Sequence, residues 1–69
     1  MKMEQISETL SMRRKSLGIS QAQLAKIAAV SSHTISDIES GKGNPTIESL
    51  IKVSDVLGMD VSIDVRRQL

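Results

Sequence analysis

The stretch Gln21–Lys42, QAQLAKIAAVSSHTISDIESGK, constrains this chain more than any other. Its apolar periodicity is interrupted at Ala29-Val30-Ser31, which calls for two short helices meeting at a turn rather than one long helix. Ser20 and Gln23 form an S-x-x-Q capping box, in which each side chain satisfies a backbone donor at the helix start. Leu24, Ala25, Ile27 and Ala28 supply the apolar face of that helix. Ser31 caps the next one, Ser32 to Ser40, with Ile35 and Ile38 on its inner side and Gly41 in the place of a left-handed stop. At about 100° per residue, Ser32, His33, Ser36, Asp37 and Ser40 fall on the opposite side, with Thr34 on the edge. A short exposed face of small polar side chains suits a DNA major groove, which admits one helix and displays donors, acceptors and thymine methyl groups.

The flanks read as scaffold. Residues 1–15 are expected to form a helix, with Ile6, Leu10 and Leu17 on one stripe and Gly18 as its stop. Arg13-Arg14-Lys15 stands where it complements the helix dipole, either as a solvated helix end or as a set of anion contacts. Gly41-Lys42-Gly43-Asn44-Pro45 is a turn, and Thr46 caps a fourth helix. Ile47, Leu50, Ile51, Ser54 and Leu57 form that helix's main stripe, with Val53 and Val56 on a second flank that a lone domain would leave facing water. Val61-Ser62-Ile63-Asp64-Val65-Arg66 alternates strictly, as a strand does, and the tail Arg67-Gln68-Leu69 is expected to fray.

Composition narrows the function. With 69 residues and no cysteine, the chain has one small core and neither disulfide nor thiolate-bound zinc to brace it. Phe, Trp and Tyr are absent, so the stacking platforms that single-stranded nucleic acid readers need are missing. One histidine and no nucleophile–base pair point away from an enzyme, a metal site or a cofactor. No apolar run approaches a membrane span and no secretory pattern opens the chain, so a cytoplasmic location is expected. Residues 1–42 carry six Lys and Arg against four Asp and Glu, giving +2; residues 43–69 carry three against four, giving −1. So mild a bias demands a compact set of DNA contacts rather than a basic arm.

Several spaced elements carry a resemblance. Gln21–Ile38 resembles the helix-turn-helix of the Xre family, the Cro and lambda-repressor-like DNA-binding domains. Ala25 falls on the motif's small fifth residue, and Leu24, Ala28, Val30, Ile35 and Ile38 fall on its apolar positions. Arg14 four residues before Gly18, Leu17-Gly18-Ile19-Ser20-Gln21, Glu39-Ser40-Gly41-Lys42, Pro45-Thr46 and Leu57-Gly58 match its flanking pattern, so the likeness spans roughly residues 6–58. The fold it implies is all-α and lambda-repressor-like, with four main helices and here a C-terminal strand that pairs across a dimer. It implies base reading by Ser32, His33, Ser36 and Asp37, and phosphate contacts from Ser20, Gln21, Thr34, Lys42 and Asn44. It also implies a structural ion pair between Arg14 and Glu39, which leaves Arg13 and Lys15 for solvent or phosphate. Ala29 departs from the motif's usual left-handed glycine, at a cost on the order of 1 kcal/mol. Asp37 stands where a basic or amide side chain would read a groove more easily.

A single strand needs a partner, because an exposed β-branched edge invites pairing. Residues 1–58 therefore read as the DNA-binding domain, and residues 59–69 as a strand and tail for dimerisation. Val53, Val56, Met59, Val61, Ile63 and Val65 are the expected interface of a homodimer, which would set two recognition helices about 34 Å apart on a palindrome. The same ending resembles antitoxins of the HipB type, which repress their own operon and bind a kinase-like toxin. A repressor on double-stranded DNA, an antitoxin with a toxin partner, and a phage or restriction-modification controller remain the three readings.

Overall fold

In a computed structural model the described residues are 2–66. They form four helices: α1 (Met3–Ser16), α2 (Gln21–Ala28), α3 (Ser32–Ser40) and α4 (Ile47–Val56). The tail Arg67–Leu69 and the first residue of the expected N-terminal helix lie outside the described residues. The helix starts follow the expected chemistry. Ser20 Oγ accepts from the Gln23 N–H at 3.0 Å, and Gln23 Oε1 accepts from the Ser20 N–H at 2.7 Å, completing the capping box. Ser31 and Thr46 cap α3 and α4 in the same way, each accepting from the N–H three residues on at 3.0 Å.

The helix ends repeat one device. The N–H groups of Ile19, Val30, Lys42 and Met59 donate to the carbonyls of Arg14, Ala25, Asp37 and Ser54, each five residues back. Each of these turns contains one residue with positive φ: Gly18, Ala29, Gly41 and Gly58. This is the Schellman arrangement, which satisfies orphan carbonyls and drops an apolar residue back onto the core. Ile19, Val30 and Met59 are indeed packed against the core after their turns. Ala29 is the exception in side chain but not in geometry, with φ 58° and ψ 44°.

The core is Leu10, Leu24, Ala25, Ala28, Ile35, Ile38, Leu50, Val53 and Leu57, with contributions from α1 to α4 and the residue that ends α4. Ala25 is buried where α2 meets α3, as its small size requires. Three sequence expectations are corrected here. Val53 is only 1% exposed, because α4 turns Leu50, Val53, Ser54 and Leu57 inward together. It is part of this chain's own core and has no surface to offer a second copy. The outward flank of α4 is Ile47 and Ile51, which are 56% and 42% exposed. Ile27 and Leu17 likewise lie at the surface rather than in the core. Finally, residues 59–66 run without regular structure, and no strand is present among the described residues. A strand is defined by its ladder, and one chain supplies only one side of it.

An L-residue in the left-handed region costs on the order of 1 kcal/mol that glycine does not incur. Ala29→Gly should therefore stabilise the domain by about 1 kcal/mol, raising Tm by about 4–8 °C. Thermal unfolding followed by circular dichroism measures this; a lower Tm would show that the turn is not strained.

Candidate nucleic-acid interface

The α3 helix is held by its ends and one side. Ile35 and Ile38 are each 1% exposed and seat it in the core. At its far end, the Arg14 guanidinium grips Glu39 with two hydrogen bonds: Nε donates to Oε2 at 2.6 Å and Nη2 to Oε1 at 3.0 Å. Arg14 Nη1 also donates to the Ile19 carbonyl at 2.7 Å, and Gln21 Nε2 donates to Glu39 Oε1 at 3.1 Å. One carboxylate thus ties α1, the turn before α2, the first residue of α2 and the end of α3. The pair is largely removed from water, with side chains 11% and 7% exposed. Planar two-point contact suits arginine and not lysine.

The electrostatics agree with the geometry. Burial alone would push the Glu39 carboxyl up. Hydrogen bonds from Arg14 and Gln21, the Arg14 charge and a contribution from Ser11 outweigh it and hold the carboxyl below its ordinary value. The hydrogen bond to Glu39 raises the Arg14 guanidinium against its own desolvation.

The outer face of α3 is as the wheel places it. Ser32, His33, Ser36 and Ser40 are exposed, and Asp37 and Thr34 are half-buried. His33 Nε2 lies 3.2 Å from Asp37 Oδ2, one turn along the helix. Thr34 Oγ1 is hydrogen-bonded with the capping Ser31 Oγ at 2.9 Å, so it sits at the start of α3 rather than across its outer face. Lys42 and Asn44 are exposed in the turn that follows α3. Thr34, Asp37, Asn44, Pro45, Thr46 and Ser49 line a shallow depression beside the helix, which brings Asn44 next to the outer face. Ser20 is exposed at the start of α2, its hydroxyl already accepting the cap bond.

Gln21 was expected to offer phosphate its backbone N–H at the helix start; its side-chain amide also buttresses Glu39, a contact the sequence did not announce. One assignment changes. Arg13 was left for solvent or phosphate; its Nε donates at 2.9 Å to the Leu57 carbonyl and so closes the end of α4 onto α1. Neither bond was legible in the sequence, because each joins residues 18 and 44 positions apart. Among the described residues, no helix is long and apolar enough to cross a membrane.

Two helices joined by a left-handed turn, the second with a polar face held outward, define a helix-turn-helix protein. The chain belongs to that family: the Helix-turn-helix model HTH_3 matches residues 10–63. It is 41% identical over 59 residues to the cryptic phage CTXphi transcriptional repressor RstR of Vibrio cholerae, which covers 86% of this chain and 51% of that protein. It is 44% identical over 50 residues to an HTH-type transcriptional regulator of Haemophilus influenzae, covering 72% of this chain and 51% of that one. The chain therefore spans about half the length of both relatives. Its fold is shared with a chain in the structure of the HipA-HipB-O2-O3 complex, with a TM-score of 0.83, 22% identity, and coverage of 97% of this chain and 94% of that one.

Glu39→Gln should destabilise the domain by about 2–3 kcal/mol near neutral pH, since it strips the charge from a largely buried pair. A depressed carboxyl stabilises the fold fully above its ordinary value of 4.5, and that contribution disappears as pH falls through the lower folded-state value. Urea unfolding across the acid range should therefore show a shallower loss of stability for the variant than for the wild-type chain. Parallel acid limbs would remove Glu39 from the account.

Proposed function

We propose that this protein is a sequence-specific regulator of transcription that binds double-stranded DNA, acting as a repressor. The observation that carries this reading is the exposed polar face of α3, locked in orientation by the Arg14–Glu39–Gln21 node. In this reading Ser32, His33, Ser36 and Asp37 face base edges. The α2 start at Ser20 and Gln21, with Thr34, Lys42 and Asn44, meets phosphates on either side. Phosphate contacts fix the register and base contacts select the sequence. The likeness to a named repressor at 41% identity supports the assignment.

The functional unit in this proposal is a homodimer on a palindromic operator. Ile63 and Val65 are 89% and 99% exposed, and they alternate with polar residues directly after Met59 and Val61. Two such segments pairing antiparallel across a two-fold axis would cover those side chains and supply each other's missing ladder. Val56 and Met59, packed against the core and half-buried, would lie beneath them. Beside the segment runs an apolar groove of about 410 Å³, whose walls include Ile6, Leu10, Leu50 and Val61.

A second reading is an antitoxin that neutralises a HipA-like toxin while repressing its own operon, and it rests on the fold shared with a chain of the HipA-HipB complex. The relative at 41% identity is a phage repressor, which favours a phage-type regulator over the antitoxin.

Selection of bound duplexes from a random pool tests function and symmetry together. A palindrome is expected, and the absence of any enriched sequence would refute the proposal. Replacing both Ser32 and His33 by alanine should weaken binding to the selected site by about tenfold or more without changing the fold. Log affinity should fall against log salt with a slope of about −0.9 per phosphate contacted. Deleting residues 60–69 should yield monomers in sedimentation experiments; a truncated chain that still dimerises fully would exclude the shared ladder.

A further inference from the structure

One contact on α3 plays no part in seating the helix. His33 Nε2 stands 3.2 Å from Asp37 Oδ2, and the two side chains are 85% and 36% exposed. Gly43 lies against Asp37 on the other side: a Cβ added there would come within 3.2 Å of Asp37 Oδ2, so only a glycine leaves the carboxylate this room. The depression next to it is lined by Thr34, Asn44, Pro45, Thr46 and Ser49, which add no charge. Lys42 is the nearby cation of the following turn, and its backbone N–H donates to the Asp37 carbonyl. Glu39 on the same helix is turned away into the Arg14 pair.

A carboxylate at this distance selects the ring tautomer. A nitrogen that presents its lone pair to a carboxylate oxygen is repelled, and one that presents N–H is attracted. In the uncharged imidazole the proton therefore belongs on Nε2, and Nδ1 becomes a hydrogen-bond acceptor. We infer that Asp37 is a positioning residue that presents His33 to the major groove as an acceptor, so that His33 selects a base bearing an exocyclic amino group, adenine or cytosine. The inference rests on α3 reading DNA as proposed above. In the major groove adenine N6 and cytosine N4 are donors, whereas guanine N7 and O6 and thymine O4 are acceptors. The second oxygen of Asp37 is an acceptor too and shares the preference. This turns an unfavourable feature, an acidic side chain near phosphates, into part of the recognition.

Base analogues in the selected duplex test this with the full chain. Adenine is replaced singly by purine and cytosine by 2-pyrimidinone, which removes one amino group at a time; guanine is replaced by 7-deazaguanine, which removes N7. One amino deletion in each half-site should cost the wild-type chain about fivefold in affinity and cost His33→Ala nothing. Asp37→Ala should reduce that penalty. If the His33-dependent penalty falls on guanine N7, or no substitution depends on His33, the inference is overturned while DNA binding stands. Long-range 15N–1H spectra of the unbound chain read the tautomer without DNA. The Nε2–H form is expected to dominate in the wild type and to lose ground in Asp37→Ala; a dominant Nδ1–H form would also overturn the inference. Failure to bind any duplex would count against the DNA-reading proposal itself and leave the tautomer measurement as the deciding result.

Discussion

The pairing of Arg14 with Glu39 is the contact on which the orientation of α3 depends. The helix has only two buried side chains, Ile35 and Ile38, to hold it in the core. Two apolar contacts at one face leave a nine-residue helix able to roll, since dispersion and burial are not directional. A two-point guanidinium–carboxylate contact is directional, and here it also draws in the Ile19 carbonyl and the Gln21 amide. The same carboxylate therefore references α3 to α1, to the turn and to α2 at once. Its net contribution to stability is limited by the desolvation of both charges. In the proposed DNA-reading role, which needs the polar face of α3 at a fixed angle, its contribution is the rigidity of that angle.

The same economy governs the helix ends. Four turns close with the same five-residue bond, and each relies on one residue with positive φ. These turns help four helices and a single core fit in so short a chain, because three of them return the next side chain, Ile19, Val30 or Met59, directly to the interior. Ala29 shows how firmly the surroundings impose the geometry. It is itself the C-cap of α2, two residues before the Ser31 cap of α3, and that tight turn holds it in the left-handed region despite its Cβ. Arg13 applies the same logic at a distance, satisfying the Leu57 carbonyl at the end of α4.

Much of the proposed DNA-reading surface was legible because it is local. The caps at Ser20, Ser31 and Thr46, the outward face of Ser32, His33 and Ser36, and the stop at Gly41 follow from residues within one or two turns of each other. The Arg14–Glu39 pair was legible through the family pattern rather than through spacing, since 25 residues separate the partners. Arg13 was misjudged, and the Gln21–Glu39 contact missed, because a polar side chain in sequence announces its chemistry but not its neighbour. The His33–Asp37 contact lies at i, i+4 and was open to reading from the wheel; its consequence for the tautomer needed the approach of the two atoms in the fold.

The fourth helix separates the two sources of information. Its apolar residues, Ile47, Leu50, Ile51, Val53, Val56 and Leu57, span so wide an arc that two stripes are consistent with the sequence. Packing against α2 chose the stripe containing Val53 and left Ile47 and Ile51 outside. The alternation at residues 61–66 is likewise a statement about propensity, and a ladder needs a second strand that one chain does not contain. By itself, then, the sequence determined where the helices begin and end and which side of α3 is polar, because caps, turns and short periodicities act within a few residues; the left-handed turn at Ala29 was legible only through the family pattern. Tertiary structure alone decided which flank of α4 is buried, what Gln21 and Arg13 hold, and how α3 is fixed, because those depend on which surfaces meet once the helices have packed.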